Sequence, residues 1–167
     1  MKNRIKSISL LIAIAASLAI GPQQSYAQGS GNDVIRQKPC TDETISAIAD
    51  SIKNNILKQG FILVKENSMQ MESEYEMPII VPLNQGTWYH IVYIGDPTSR
   101  LYELRMFDWS EKQVIYKKNL WGDVDGPVIS YSYIPKFSEY HMIKTVQINK
   151  KKKNVCGYVM MFKKVEG

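Results

Sequence analysis

Four small groups of residues are of types that could do chemistry. Cys40 and Cys156 are the two cysteines of the chain, and His90 and His141 its two histidines. Asp123-Val124-Asp125-Gly126 alternates carboxylates ahead of a glycine, while Trp109 and Trp121 stand in segments rich in turn residues. In an oxidising compartment two cysteines separated by a whole domain most simply form one disulfide. A thiol enzyme would instead need Cys156 free with His141 as its base, and no nucleophile motif surrounds Cys156. Structural zinc normally takes four Cys or His ligands, more than two strand histidines supply. Asp123 and Asp125 look like part of a calcium loop, but the third alternating ligand and the later bidentate glutamate are missing. The stretch reads more simply as a turn. No cofactor is expected, with a structural calcium ion at this turn as the open alternative.

Several signatures of catalysis are absent: the Gly-x-Ser-x-Gly elbow, His-Glu-x-x-His, a phosphate-cradling glycine loop and Cys-x-x-Cys. What remains is a candidate ligand-binding set of Trp109, Trp121, Asp123 and Asp125. Indoles on loops can stack on sugar rings or cover a peptide, being planar apolar bodies with one polar handle. The alternative is that they fold inward as anchors over the end of a domain.

The elements that must position these residues begin after a secretory signal. Lys2, Arg4 and Lys6 precede an apolar run from Ile8 to Ile20, and Ser25-Tyr26-Ala27 supplies the small residues of a cleavage site. The pattern predicts a signal peptide over 1–27, too short in its apolar run for a membrane anchor. The chain is thus read as exported to the periplasm, the cell surface or the medium. Its removal turns the formal charge of +5 over 167 residues into +2. Setting aside Lys150 to Lys153, a run read as a solvated loop, leaves −2. A nucleic-acid groove would need cations and stacking aromatics spread along one face, so that partner is excluded.

Residues 28–39 are polar and read as a flexible leader, and 40–167 as one domain. Ile45, Ile48, Ala49, Ile52 and Ile56 form one helical stripe, with Thr41 or Asp42 as N-cap and Gly60 as the stop. Beyond Gly60 the chain predicts nine strands: 61–65, 69–75, 79–83, 87–94, 101–107, 113–117, 128–134, 140–148 and 155–162. Strands 101–107 and 128–134 alternate apolar and polar residues, so each has one buried face. Strands 87–94 and 155–162 are apolar on both faces, which places them centrally or beneath the helix. The fold class is mainly β: an antiparallel sandwich with one amino-terminal helix packed on it.

Gly86-Thr87-Trp88-Tyr89, Leu101 to Asp108 and Ser138 to Ile143 together resemble the jelly-roll β-sandwich of bacterial pre-peptidase C-terminal domains. The helix after Cys40 and the ending Cys156 to Lys163 are also similar to small secreted bacterial proteins with an amino-terminal helix. Glu139 stands where the late motif usually has Gly, and these 167 residues hold no segment expected to be the peptidase joined to many such domains. The resemblance implies a non-catalytic accessory that binds carbohydrate or protein, in some cases with calcium, and it transfers no set of site residues. The resulting expectation is an exported, non-enzymatic binding or envelope-associated protein, its partner a glycan or an envelope protein. The alternatives are a hydrolase-type enzyme using His141 or His90 with nearby carboxylates, and a structural component of a secreted assembly.

Overall fold

In the computed structural model, which describes residues 38–165, the first element is helix α1 (Glu43–Lys58). The expected signal peptide, and the leader as far as residue 37, lie outside the described residues. Asp42 caps the helix, its carboxylate accepting the Ile45 amide at 3.0 Å. Glu43 in the first turn and Lys58 in the last complement the helix dipole. Gly60, at φ 80°, turns the chain out of the helix in a conformation that a Cβ would strain.

Eight strands follow: β1 (Phe61–Glu72), β2 (Met77–Leu83), β3 (Tyr89–Gly95), β4 (Leu101–Phe107), β5 (Gln113–Leu120), β6 (Val128–Tyr133), β7 (Glu139–Ile148) and β8 (Asn154–Lys164). They form two four-stranded sheets in the orders β1-β8-β3-β6 and β2-β7-β4-β5. Every pairing is antiparallel. Two interleaved sheets of this order make the eight-stranded jelly roll.

The strands expected over 61–65 and 69–75 are one. The register on β8 jumps from Leu63 opposite Phe162 to Lys65 opposite Met161, leaving Val64 as the extra residue of a β-bulge. The bulge turns the strand over. Phe61 and Leu63 pack under the helix, whereas Met69 and Met71 enter the space between the sheets. The polar stretch from Glu66 to Ser68, read in the sequence as a break, is paired strand at the sheet edge.

Two apolar layers result. Between the sheets lie Tyr93, Tyr102, Leu104, Met106 and Ile143, all fully buried, among other side chains. On the outer face of the first sheet, Ile45, Ala49 and Ile56 of α1 close over Val92, Ile94, Met160 and Phe162. β3 and β8 therefore need apolar residues on both faces, which is why neither shows alternation. Each large aliphatic side chain removed from water here contributes roughly 1.5–3 kcal/mol.

A disulfide joins Cys40, just ahead of the helix, to Cys156 on β8, with Cα atoms 5.7 Å apart. The Cys40 amide donates to Ser68 Oγ at 3.1 Å, and the Gln70 amide donates to the Lys38 carbonyl at 2.7 Å. The chain is thus tied along the β1 edge from Lys38 onward.

The outer edge of the second sheet is blunted. Pro78 and Pro82 occupy β2 positions that share a phase with Ile80, whose carbonyl accepts Lys65 Nζ at 3.2 Å. Proline there removes amides that would otherwise face outward and invite another strand. The lysine run is more built than a solvated loop. Asn149 Oδ1 accepts the Lys151 and Lys152 amides, while Lys152 and Lys153 each place Nζ 3.2 Å from a carboxylate, of Asp96 and Glu72. Among the described residues no helix is long and apolar enough to cross a membrane.

Candidate functional site

Antiparallel strands carry the chain from one end of the sandwich to the other, so successive connections alternate between ends. Trp109 precedes β5 and Trp121 follows it. The strand has eight residues, and at ~3.4 Å per residue it spans roughly 24 Å between the two connections. The single surface expected for Trp109, Trp121, Asp123 and Asp125 is therefore not formed.

Trp121, Asp123 and Asp125 share the β5–β6 connection. Trp121 is 71% exposed. Asp123 Oδ2 accepts the Leu120 amide at 2.6 Å, and its carbonyl accepts the Gly126 amide at 2.9 Å. The carboxylate closes its own turn. Among the described residues no three His, Cys, Asp or Glu side chains come together as a metal site.

The Trp109 end is different in kind. The β2–β3, β4–β5 and β6–β7 connections meet there, bringing Trp88, Trp109, Ile134, Phe137 and Tyr140 to the surface, each substantially exposed. Asp108 builds the loop that presents Trp109, its Oδ1 accepting the Ser110 and Lys112 amides at 3.0 and 2.9 Å. This is an Asx-type turn. The indole lies 6.3 Å from the Tyr140 ring, centroid to centroid. The loops are braced against one another. The Gly86 amide donates to the Pro135 carbonyl at 3.0 Å, the Gln85 amide to Ser138 Oγ at 2.9 Å, and the Lys164 amide to the Trp88 carbonyl at 2.8 Å.

Two clefts open on this end. One, of about 500 Å³, is lined by Asp108, Lys112, Gln113, Val114, Tyr133, Ile134, Lys136, Phe137 and Glu139. The other, of about 560 Å³, is lined by Ile62, Asn84, Gly86, Thr87, Trp88, Ile134, Lys163, Lys164 and Val165. Ile134 is a wall of both. In the first cleft the Tyr133 hydroxyl sits 3.2 Å from His141 Nε2, which in turn is 3.8 Å from a Glu139 oxygen. Burial, with the Asp108 and Glu139 carboxylates nearby, pushes the Tyr133 phenol above its ordinary value. The phenol is therefore protonated.

The two histidines do not converge. His141 points between the sheets and is 1% exposed. His90 lies on the opposite face of the first sheet, its ring nitrogens 3.1 and 2.9 Å from Ser132 and Ser130 Oγ. Burial holds the His90 imidazole below its usual value, and the two serine hydroxyls occupy both nitrogens. Neither a shared metal site nor a joint acid–base pair is formed. With Cys156 in the disulfide, the thiol-enzyme arrangement is excluded as well.

Sequence reasoning singled out Trp109 but not Ile134, Phe137, Tyr140, Lys163 and Lys164, which the structure places at the same end. The available signal was the parity of the connections, since two loops flanking one strand must lie at opposite ends.

No protein-family model matches the chain, and no curated protein matches it in sequence. Of the resemblance to pre-peptidase C-terminal domains, what stands is the β-sandwich. Among solved structures, the chain is similar to one described as "CBM4 structure and function", with 12% identity over 63% of this chain and 79% of that one and a TM-score of 0.41. It is similar to the Glycosylation Associate Protein (Gap123) complex from Streptococcus agalactiae, with 12% identity over 62% of this chain and 39% of that one and a TM-score of 0.35. Latent PorU from Porphyromonas gingivalis matches at 8% identity over 61% of this chain and 13% of that one, with a TM-score of 0.32. At these scores the likenesses carry no argument about ligand or activity, and the sandwich rests on its own strand pairing.

Proposed function

We propose that the protein is an exported, non-catalytic binding module that engages a glycan through the Trp109 end of the sandwich. The observation that carries the reading is the gathering of Trp88, Trp109, Ile134, Phe137 and Tyr140 at one end, around clefts lined with hydrogen-bonding groups. Large aromatic side chains held in water mark a contact surface. Sugar rings offer flat C–H faces to aromatic planes and hydroxyls to polar side chains. In the first cleft Gln113, Glu139 and the Tyr133 phenol are such polar partners. Braced loops lose little entropy when a ligand docks, which supports binding by a preformed surface.

The site proposed from sequence is thereby divided. Trp109 remains in it, while Trp121, Asp123 and Asp125 become a separate loop at the far end. Export is supported by the disulfide, which persists outside reducing compartments. A panel of envelope and plant-type glycans, screened with wild type, the Trp109→Ala, Phe137→Ala double variant and Trp121→Ala, tests the reading. Binding lost in the double variant and kept in Trp121→Ala supports it. Binding that survives the double variant moves the site elsewhere, and binding of an envelope protein with no glycan bound changes the partner.

A further inference from the structure

The two clefts at the Trp109 end differ in charge. The first mixes Asp108 and Glu139 with Lys112 and Lys136. The second holds Lys163 and Lys164 and, among the described residues, no carboxylate in its lining. Lys164 is fixed in place: its Nζ donates to the Gln59 carbonyl and lies 4.9 Å from the Phe61 ring and 6.0 Å from that of Trp88. Lys163 projects beside the start of β3, opposite Tyr89 in register, and is half-buried.

Some other cations are neutralised. Lys53, Arg105, Lys118, Lys144, Lys152 and Lys153 each reach a carboxylate. Lys163 has no such partner among the described residues. An ammonium without a counter-charge gains charge-assisted hydrogen bonds when an anion arrives. The Trp88 indole, packed edge-on against Phe61 at 5.6 Å and beside Lys164, adds a flat, partly exposed surface to the cleft. Asn84 and Thr87 add neutral hydrogen-bonding side chains to the same walls.

Because Ile134 borders both clefts, a ligand filling the first runs over it into the second. We propose that the second cleft is a subsite for an anionic sugar unit, with its carboxylate or phosphate on Lys163 and Lys164 and its ring against Trp88. The ligand is then an acidic oligosaccharide long enough to cross Ile134. This inference rests on the reading of the Trp109 end as a glycan site. Aromatic planes paired with amide and hydroxyl groups favour a sugar over an acidic peptide, which the test includes as a competitor.

The probes are oligogalacturonate, phosphomannan, a neutral (1→4)-β-glucan oligomer and a poly-glutamate peptide. Each is titrated calorimetrically into wild type, Lys163→Gln, Lys163→Arg and Trp109→Ala. The expected result is at least about tenfold tighter binding of one acidic glycan than of the neutral one, with the gap narrowing as salt is raised. Lys163→Gln should remove most of that preference, Lys163→Arg should keep it, and Trp109→Ala should weaken acidic and neutral glycans alike. Which acidic glycan binds separates carboxylate from phosphate. Equal binding of acidic and neutral glycans, or a preference that survives Lys163→Gln, overturns the anionic subsite while leaving the glycan site standing. Binding of the peptide alone, or of none of the four, overturns both.

Discussion

Removing the Cys40–Cys156 bridge is the perturbation whose cost is best defined by the structure. The cysteines are 116 residues apart in sequence, and closing a loop of that length in the unfolded chain sets a ceiling of about 5 kcal/mol on the stabilisation. The native state retains its other attachments of the helix: Ile45, Ala49 and Ile56 stay buried, and Lys53 Nζ still reaches Glu66 at 2.8 Å. The Cys40→Ala, Cys156→Ala double variant should therefore fold and lose about 2–4 kcal/mol. That is a large part of the roughly 5–15 kcal/mol typical of a domain. Urea unfolding followed by tryptophan fluorescence reads it as a lower midpoint, and ligand binding at the Trp109 end should be unaffected. Cys156 lies opposite Gln70 in the half of β8 remote from that end. A loss below about 1 kcal/mol would refute the entropic argument, and two reactive thiols in the native wild-type protein would refute the bridge itself.

The remaining predictions concern packing and acid stability. A Cβ at Gly95 would sit 2.4 Å from Tyr102 Cδ1, and that ring cannot yield because its hydroxyl donates to the Asp96 and Ser99 carbonyls, both at 2.9 Å. Gly95→Ala should cost about 1–3 kcal/mol in a thermal melt, and an unchanged melting temperature would show that the ring moves freely. Burial opposes the charge on Asp96, but the Thr98 hydroxyl and amide and the Lys152 ammonium outweigh it and hold the carboxyl below the usual carboxylate range. A depressed folded value means that this stabilisation is complete above about pH 4 and is lost as the pH falls through the lower folded value. Asp96→Asn should flatten that part of the acid-unfolding profile, and a profile parallel to wild type would contradict it. His90, held low by burial, resists protonation in the folded state. Its contribution is present above about pH 6.5 and declines as the pH falls through the folded value, so His90→Gln should be less sensitive to mild acid than wild type.

Helix, sandwich and disulfide were legible because each rests on a local or compositional signal. The 3.6-residue spacing of Ile45, Ile48, Ala49, Ile52 and Ile56 needs one buried face, and Asp42 supplies the cap that such a helix requires. The loss of alternation in β3 and β8 correctly pointed to coverage on both sides. The bulge at Val64 was hidden, because a single extra residue reverses which face a strand buries without changing the alternation of residue types around it. The proposed site was legible only in part for a related reason. Residue type marked Trp109 as a contact candidate, but grouping it with Trp121 treated neighbours in sequence as neighbours in space. Lys163 and Lys164 were not legible as part of the proposed site, since only the β3–β8 pairing brings the end of β8 beside Trp88.

The most direct test of the account is an amide chemical-shift map of the protein titrated with the tightest-binding glycan of the panel. The account predicts perturbations concentrated in 84–88, 108–112, 134–138 and 163–165, with 121–127 and 149–153 unmoved. Perturbations centred on 121–127 would contradict it and return the site to the opposite end of the sandwich.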